Sequence, residues 1–408
     1  MKYIWAPPDR FSCNPTLPLL VWVSISGTFP IHLFVPILAV AARDFRVSSA
    51  TIQWAITSYL IGLSSGQLVL GMLSDKFGRR PVLIGGLFAY AAGTLGTALA
   101  PSIPLLIVAR FIQAFGGCSG LVLGRAITRD AAGPQRAVRQ MAILSAAMTL
   151  GPGLAPLIGL NMAAWFGWRG MFMVLAGLNV LLLLAVILTL PETQDLNNRV
   201  SPRIYLVRYG QLLCNVRFLK ICLGGAFATT SLYAFVANAP FILHGEFGLS
   251  NELIGPLFLA TIGCLTLGNL VAVRLAGRVN PQVITRLTSF TMVVSTSAML
   301  VFERIHLLGV ISFTSLLMIF VGCIGMCSPF AITEAINVDP RAVGATSGLY
   351  GSAQMAAGAI MTAAVGAIGG TAVSATSIVM LGGGLIAVIC FFGSTFGQRD
   401  SQEKIRPV

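Results

Sequence analysis

The segment Gly71 to Pro81, Gly-Met-Leu-Ser-Asp-Lys-Phe-Gly-Arg-Arg-Pro, sets Asp75, Lys76, Arg79 and Arg80 between two long apolar runs. Only 10 % of this 408-residue chain is charged, where a soluble domain carries roughly 25 %. Charges gathered between two such runs describe a tight turn joining two membrane-crossing helices, with Gly78 supplying the turn. At 56 % hydrophobic residues and a mean hydropathy of +0.86, a water-soluble globule is excluded and an all-α polytopic membrane protein is implied. The net charge of +13 lies between apolar segments with no basic stripe interleaved with aromatics, so nucleic acid is not an expected partner.

A hydrocarbon core about 30 Å thick asks for roughly 20 apolar residues per helix. Windows of that size fall at 17–39, 52–73, 82–100, 103–123, 138–160, 168–190, 218–240, 252–273, 283–302, 307–330, 343–366 and 373–396. The first run is too long for a signal-peptide core and lacks an A-x-A cleavage site, so it is expected to remain in the mature chain. With the N-terminus cytoplasmic, twenty-one of the 26 Lys and Arg residues fall on the cytoplasmic side. Arg43, Arg46, Arg110, Arg169 and Arg304 alone lie elsewhere. That asymmetry sets the orientation, with both termini inside.

The longest polar stretch, 191–217, is expected to be a cytoplasmic linker between a bundle over 1–190 and a second over 218–408 with its tail. Gly66-Gln67-Leu68-Val69 near the end of span two recurs as Gly268-Asn269-Leu270-Val271 near the end of span eight. Arg274 and Arg278 follow it as an echo of Lys76, Arg79 and Arg80. Equivalent positions in each half suggest parallel repeats with a substrate site between them near the midplane.

Several motifs together resemble one family over most of the chain. Gly71-x-Leu73-x-Asp75-x-x-Gly78-Arg79-Arg80 resembles the loop between helices two and three of the major facilitator superfamily of transporters. Arg110-Phe111-Ile112-Gln113-Ala114-Phe115-Gly116 is similar to that family's R-x-x-Q-G-x-G, with Ala114 at a position usually glycine. Gly124-Arg125-Ala126-Ile127-Thr128-Arg129-Asp130 resembles the R-A-I-x-R-D stretch of the bacterial drug-resistance transporters of the Bcr/CflA type. Gly151-Pro152-Gly153-Leu154-Ala155-Pro156 is similar to the Gly-Pro motif of the antiporter branch. Leu190-Pro191-Glu192-Thr193 and Gly344-Ala345-Thr346-Ser347-Gly348 also resemble that subfamily. The resemblance implies twelve transmembrane helices in two six-helix parallel-repeat bundles, the major facilitator fold. It also implies gating roles for Gly71, Asp75, Gly78, Arg79, Arg80, Arg125, Asp130, Gly151 and Pro152. Plain topology anchoring and small-residue helix packing are the other readings of the loop and of span five.

Arg110 lies well inside span four, where insertion scales charge about 2.5–3.5 kcal/mol, so it should face the protein interior or a wet cavity. Gln113, three residues on, shares its helix face. All thirteen acidic residues fall in loops or at span ends. The Bcr/CflA-like transporters carry an Asp in span one within a segment resembling D-x-Y-L-P, where this chain reads Pro30-Ile31-His32-Leu33-Phe34-Val35-Pro36. His32 thus stands at the Asp position. Two readings follow: His32 carries the coupling proton, or His32 and Arg110 form a positive or neutral cavity for an anionic or uncharged substrate. A polar residue satisfied between helices is the third reading of His32. Glu334, at the cytoplasmic end of span ten, is a secondary coupling candidate. Phe29, Tyr59, Gln67, Tyr233, Asn238, Gln354 and Met355 are expected to line the cavity, because their spans face the centre in this family.

The expected function is export of a small lipophilic, drug-like compound across the bacterial cytoplasmic membrane in exchange for protons, by alternating access. The alternative is an exporter or facilitator of an anionic or neutral, siderophore-like metabolite without proton coupling. A monomer is expected, with small molecule, protons and membrane lipid as partners and without cofactor or metal. The eight cysteines are scattered without C-x-x-C pairs, and Cys323 and Cys327, one helical turn apart, read as packing. His244 and His306 fall in periplasmic connections far from His32. With no H-E-x-x-H and no Walker loop, no enzyme is implied. A transport-silent receptor would normally carry a soluble signalling domain, for which neither terminus is long enough.

Overall fold

The computed structural model describes residues 17–131, 134–193, 202–339 and 343–393. Among the described residues the regular structure is entirely helical. The first window is broken: α1 (Leu17–Ile25) and α2 (Phe29–Phe34) are joined through Gly27 and Thr28, and a 3-10 turn (Val35–Ile37) leads to α3 (Leu38–Phe45). The two arms of that window are bent by 54°. Pro30 and Pro36 fit such breaks, since each removes a backbone donor from the helical ladder.

There follow α4 (Ser49–Phe77), α5 (Arg79–Leu99), α6 (Ile103–Ala131) and α7 (Pro134–Thr189). Windows five and six are continuous in α7 except at Gly167, whose φ of 70° and ψ of 167° turn the chain. Within the stretch expected to be a linker lies α8 (Pro202–Cys214), joined by the cap residue Asn215 to α9 (Val216–Thr230). Then come α10 (Leu232–Pro240), a π turn (Phe241–Glu246), α11 (Asn251–Leu275), α12 (Pro281–Arg304), α13 (Val310–Ile336), α14 (Val343–Ala367) and α15 (Ala372–Gly393). Among the described residues, each of the twelve windows is mostly helical. By length and apolar composition nine described helices are able to cross a membrane, or ten with the bent pair counted as one span.

Within the first half, α6 packs on both α4 and α5. The approach of α5 to α6 is close enough that a side chain at Gly93 would collide with the backbone of Gln113. Small residues bring membrane helices together because contact area, not water exclusion, drives their association. Between the halves, α4 and α14 run antiparallel along a polar seam. Thr57 bonds Thr362 at 2.8 Å, and Ser64 bonds Ser352 at 3.0 Å. The Gln67 side chain rests against Gly351. The seam runs from the end where α3 meets α4 towards the end where α4 meets α5, hereafter the Gly78 end.

Candidate functional site

Charge is handled in two places. At the Gly78 end, Gly78 has φ 105°, a conformation other residues rarely adopt, and so lets α4 stop and α5 start within one residue. Arg79 then turns inward. Its guanidinium pairs with Asp75, four residues back on α4, and its Nε donates to Asp130 of α6 at 3.1 Å. Its Nη1 also reaches Ser74 Oγ at 2.5 Å. Glu192, just beyond α7, accepts from the backbone N–H of Arg79 at 2.9 Å and of Arg80 at 3.2 Å. A carboxylate on the first amides of α5 suits both the orphan donors and the helix dipole. Arg80 donates to the Ile187 carbonyl at 2.7 Å. Glu192 is the residue that sequence reasoning quoted but gave no role; its signal was the Pro-Glu-Thr stop to span six. A side chain at Gly71 would meet only Val122, at an ordinary contact distance. Nearby, the Tyr209 phenol of α8 is pushed above its usual range by burial and by the Asp75 carboxylate.

Deep in the first half sits Arg110 of α6, fully buried. Its Nη1 donates to Gln113 Oε1 at 2.6 Å, which the spacing of three residues makes possible. Gln113 Nε2 in turn donates to Thr94 Oγ1 at 2.9 Å, and Asn179 Nδ2 donates to the same hydroxyl at 3.0 Å. Three rings enclose the guanidinium: Tyr59 at 4.2 Å, Phe34 at 5.0 Å and Phe172 at 5.6 Å from carbon to ring centroid. Tyr59 is itself held by a 2.8 Å bond from its hydroxyl to the Gly27 carbonyl, at the break in the first window. Arg110 Nε and Nη2 have no hydrogen-bond acceptor. Thr94 and Asn179 carried no functional motif in the sequence, because their role depends on which helices meet.

His32 and Arg110 do not form a pair. His32 and Phe34 are two residues apart, hence on opposite sides of α2. Phe34 turns to Arg110 and Phe172, whereas the His32 ring stacks on Tyr233 of α10 with centroids 6.4 Å apart. His32 therefore faces the second half of the chain. Tyr233 also abuts Gly358 of α14, and Gln354, one turn earlier on that helix, donates to Thr229 Oγ1 at 2.8 Å. Met355 is half-buried beside it. Phe29 lies against Gly151 of α7. The side chain of Pro152 lies outside the described residues, as does that of Arg129.

Asn238 is a strut. Its Oδ1 accepts from Gln53 Nε2 of α4 at 2.8 Å, while its Nδ2 donates to the Ala372 carbonyl at 3.1 Å and Thr376 Oγ1 at 3.0 Å. It ties α4 to α10 and α15 at the end opposite Gly78. At that same end Leu157 of α7 meets Gly255 of α11, which joins the halves through a second helix of the first bundle. A shallow recess beside Gln53, Thr57 and Thr362, with room for little more than a water molecule, lies on the α4–α14 seam. It opens among small residues and Trp54, away from His32 and Arg110. Glu334 stands near the end of α13, within the electrostatic reach of Arg217 and Arg286.

A profile described as the Major Facilitator Superfamily matches residues 20–362. An uncharacterized MFS-type transporter of Bacillus subtilis, YdgK, is 30 % identical over 92 % of this chain and 94 % of its own length. A bicyclomycin resistance protein homolog of Haemophilus influenzae is 26 % identical over 83 % of this chain and 85 % of its own. Among solved structures, a bacterial homolog of the human lysosomal transporter Spinster, inward-facing and unoccupied, superposes with a TM-score of 0.72 at 16 % identity, covering 94 % of this chain and 97 % of that one.

Proposed function

The chain belongs to the major facilitator superfamily, in its Bcr/CflA-like drug-resistance branch, and on that footing we propose that it exports small lipophilic compounds in exchange for protons by alternating access. The contact of His32 with Tyr233 carries this reading. An imidazole titrates nearest neutral pH of all side chains, and here it stands on a broken helix at the meeting of the two halves. Its protonation adds a charge at the surface that must part when the halves rock, which biases one arrangement over the other. At the Gly78 end, the ion cluster of Arg79, Asp75 and Asp130 is a latch of the first bundle that exchanges partners with the second bundle when that end closes. At the opposite end, Gln53 with Asn238, Thr57 with Thr362 and Leu157 with Gly255 hold the halves together.

In this reading the Gly78 end and both termini are cytoplasmic, as the cation asymmetry favours, and the chain spans the bacterial inner membrane twelve times as a monomer. The bundles 1–190 and 218–408 are the rocking units, and the helical linker rides between them.

The test is reconstitution in proteoliposomes with an imposed pH gradient, using bicyclomycin and a panel of neutral, anionic and cationic lipophilic compounds. Uphill movement driven by the gradient is expected for the wild type, and loss of it for His32→Ala. Gradient-driven accumulation that persists in His32→Ala removes the histidine from the mechanism. Movement of no compound in the panel removes drug export.

A further inference from the structure

Arg125 stands on α6, four turns beyond Arg110. Its side chain is accessible, yet its guanidinium reaches across to α7. A cation accessible between two helices lines a cleft. His32 and Tyr233, which stack where the two halves meet, are likewise partly accessible. The polar contact that Arg125 makes is with a thioether, Nη2 to Met148 Sδ of α7 at 3.6 Å. Sulfur is a weak acceptor, and no acid among the described residues pairs with Arg125.

Among the described residues, acids are committed elsewhere. Asp75 and Asp130 serve Arg79, and Glu192 serves the backbone of Arg79 and Arg80. Asp44 pairs with Arg169, while Glu246 and Glu303 bond the start of α15 and Thr371. Glu334 and Asp339 belong to α13 and its end in the second half. A guanidinium in a low-dielectric cleft lined by one sign of charge concentrates anions there.

An apolar path leads on from it. Met148 and Gly151 are three residues apart on α7 and so share a face. Where a Gly151 side chain would begin, Ile25 Cγ2 is 3.6 Å and Phe29 Cδ2 3.9 Å away. Phe29 precedes His32 by one turn of α2, and His32 meets Tyr233. A cationic end and a half-exposed apolar wall thus lie in series.

We infer that the cleft binds amphipathic small-molecule anions, the carboxylate, sulfonate or phosphate of the ligand accepting hydrogen bonds from Arg125 while its apolar body lies along Met148, Ile25 and Phe29 towards His32 and Tyr233. Guanidinium and oxyanion form the strongest class of side-chain hydrogen bond, often two at once. This rests on the export reading above and specifies its substrate class: anions in preference to cations.

The experiment uses the full-length protein in nanodiscs and measures equilibrium binding of three compounds with one apolar body: 4-phenylbutyrate, its methyl ester and 4-phenylbutylamine. In the wild type the carboxylate is expected to bind at least about tenfold more tightly than the ester or the amine. Arg125→Gln collapses that ratio, and Arg125→Lys keeps part of it. Met148→Glu supplies an internal carboxylate to Arg125 and also collapses the ratio, so a poorly folding Gln variant does not leave the outcome open. Equal binding of acid and ester by the wild type overturns the inference, as does a ratio unchanged in Arg125→Gln or in Met148→Glu. Chloride and sulfate alone form a further arm: displacement of 4-phenylbutyrate by either at equal concentration reduces the site to one for inorganic anions and overturns the substrate assignment. Binding needs no turnover, so the absence of bicyclomycin transport alongside an intact carboxylate preference counts against export alone.

Discussion

Arg79 and Arg110 are both inside the protein, 8 % and 0 % exposed, and their charges are met by different chemistry. Arg79 lies near the rim, where carboxylates from α4 and α6 and a serine hydroxyl converge on it. Arg110 lies at membrane depth, where it has one amide oxygen and the faces of three rings, and two of its nitrogens go without an acceptor. An ionised acid is cheap to keep near water and expensive to keep in hydrocarbon. Aromatic faces attract a cation without bringing a second charge to desolvate. The rim site is therefore a cluster of paired charges, while the inner site is a single charge in a cage of rings.

Removing the cation is expected to be most damaging at the rim. Arg79→Ala leaves Asp75 and Asp130 without their shared partner, which should cost about 3–5 kcal/mol. Thermal melting of the purified protein in detergent reads this as a large fall, with partial recovery when Asp75→Asn is added. A fall of under about 1 kcal/mol would place the cluster in the class of weak surface pairs. At the inner site, Tyr59→Leu removes both a ring face and the bond to the Gly27 carbonyl, for a loss of about 2 kcal/mol. Tyr59→Phe keeps the face and should lose only about 1 kcal/mol. Equal losses for the two variants would mean that the ring contributes nothing to holding Arg110.

Glu192→Gln keeps one acceptor oxygen but removes the charge at the start of α5, and a loss of about 1 kcal/mol is expected. Hydrogen exchange should show it as faster opening of the first turn of α5, with Arg110 and its neighbours unaffected. Smallest of all is the pair at the opposite end. Asp44 and Arg169 have side chains 44 % and 41 % exposed, so Asp44→Asn should change the melting free energy by less than about 1 kcal/mol. Stronger destabilisation would show that the Trp168 Nε1 bond to Asp44, at 3.1 Å, holds the turn at Gly167 in place.

Much of the frame was legible. Helix occupies most of each apolar window among the described residues, because a long apolar run satisfies its backbone groups within itself only as a helix. The Arg110–Gln113 contact was legible too, since it depends on helical spacing alone. The break at Gly27 and Thr28 was not, nor was the helix α8 within the polar linker. Helix pairs cross at angles that local spacing does not encode, so the partners of Arg79 came from 51 and 113 residues away. The same limit explains His32. Its position two residues from Phe34 says that the two part company, but only the packing of α2 shows which of them turns to Arg110.

By itself the sequence determined how many apolar windows the chain has, the turn at Gly78, which membrane face its cations favour and the absence of an acid at membrane depth. These follow from composition and near-neighbour spacing, to which hydrocarbon responds directly. Only the tertiary structure decided that Arg110 is caged by rings, that His32 looks across to Tyr233, that Asn238 ties the halves together and that no acid among the described residues pairs with Arg125. Those are meetings between helices distant in the chain, and the shape of side chains on several faces at once chooses among them.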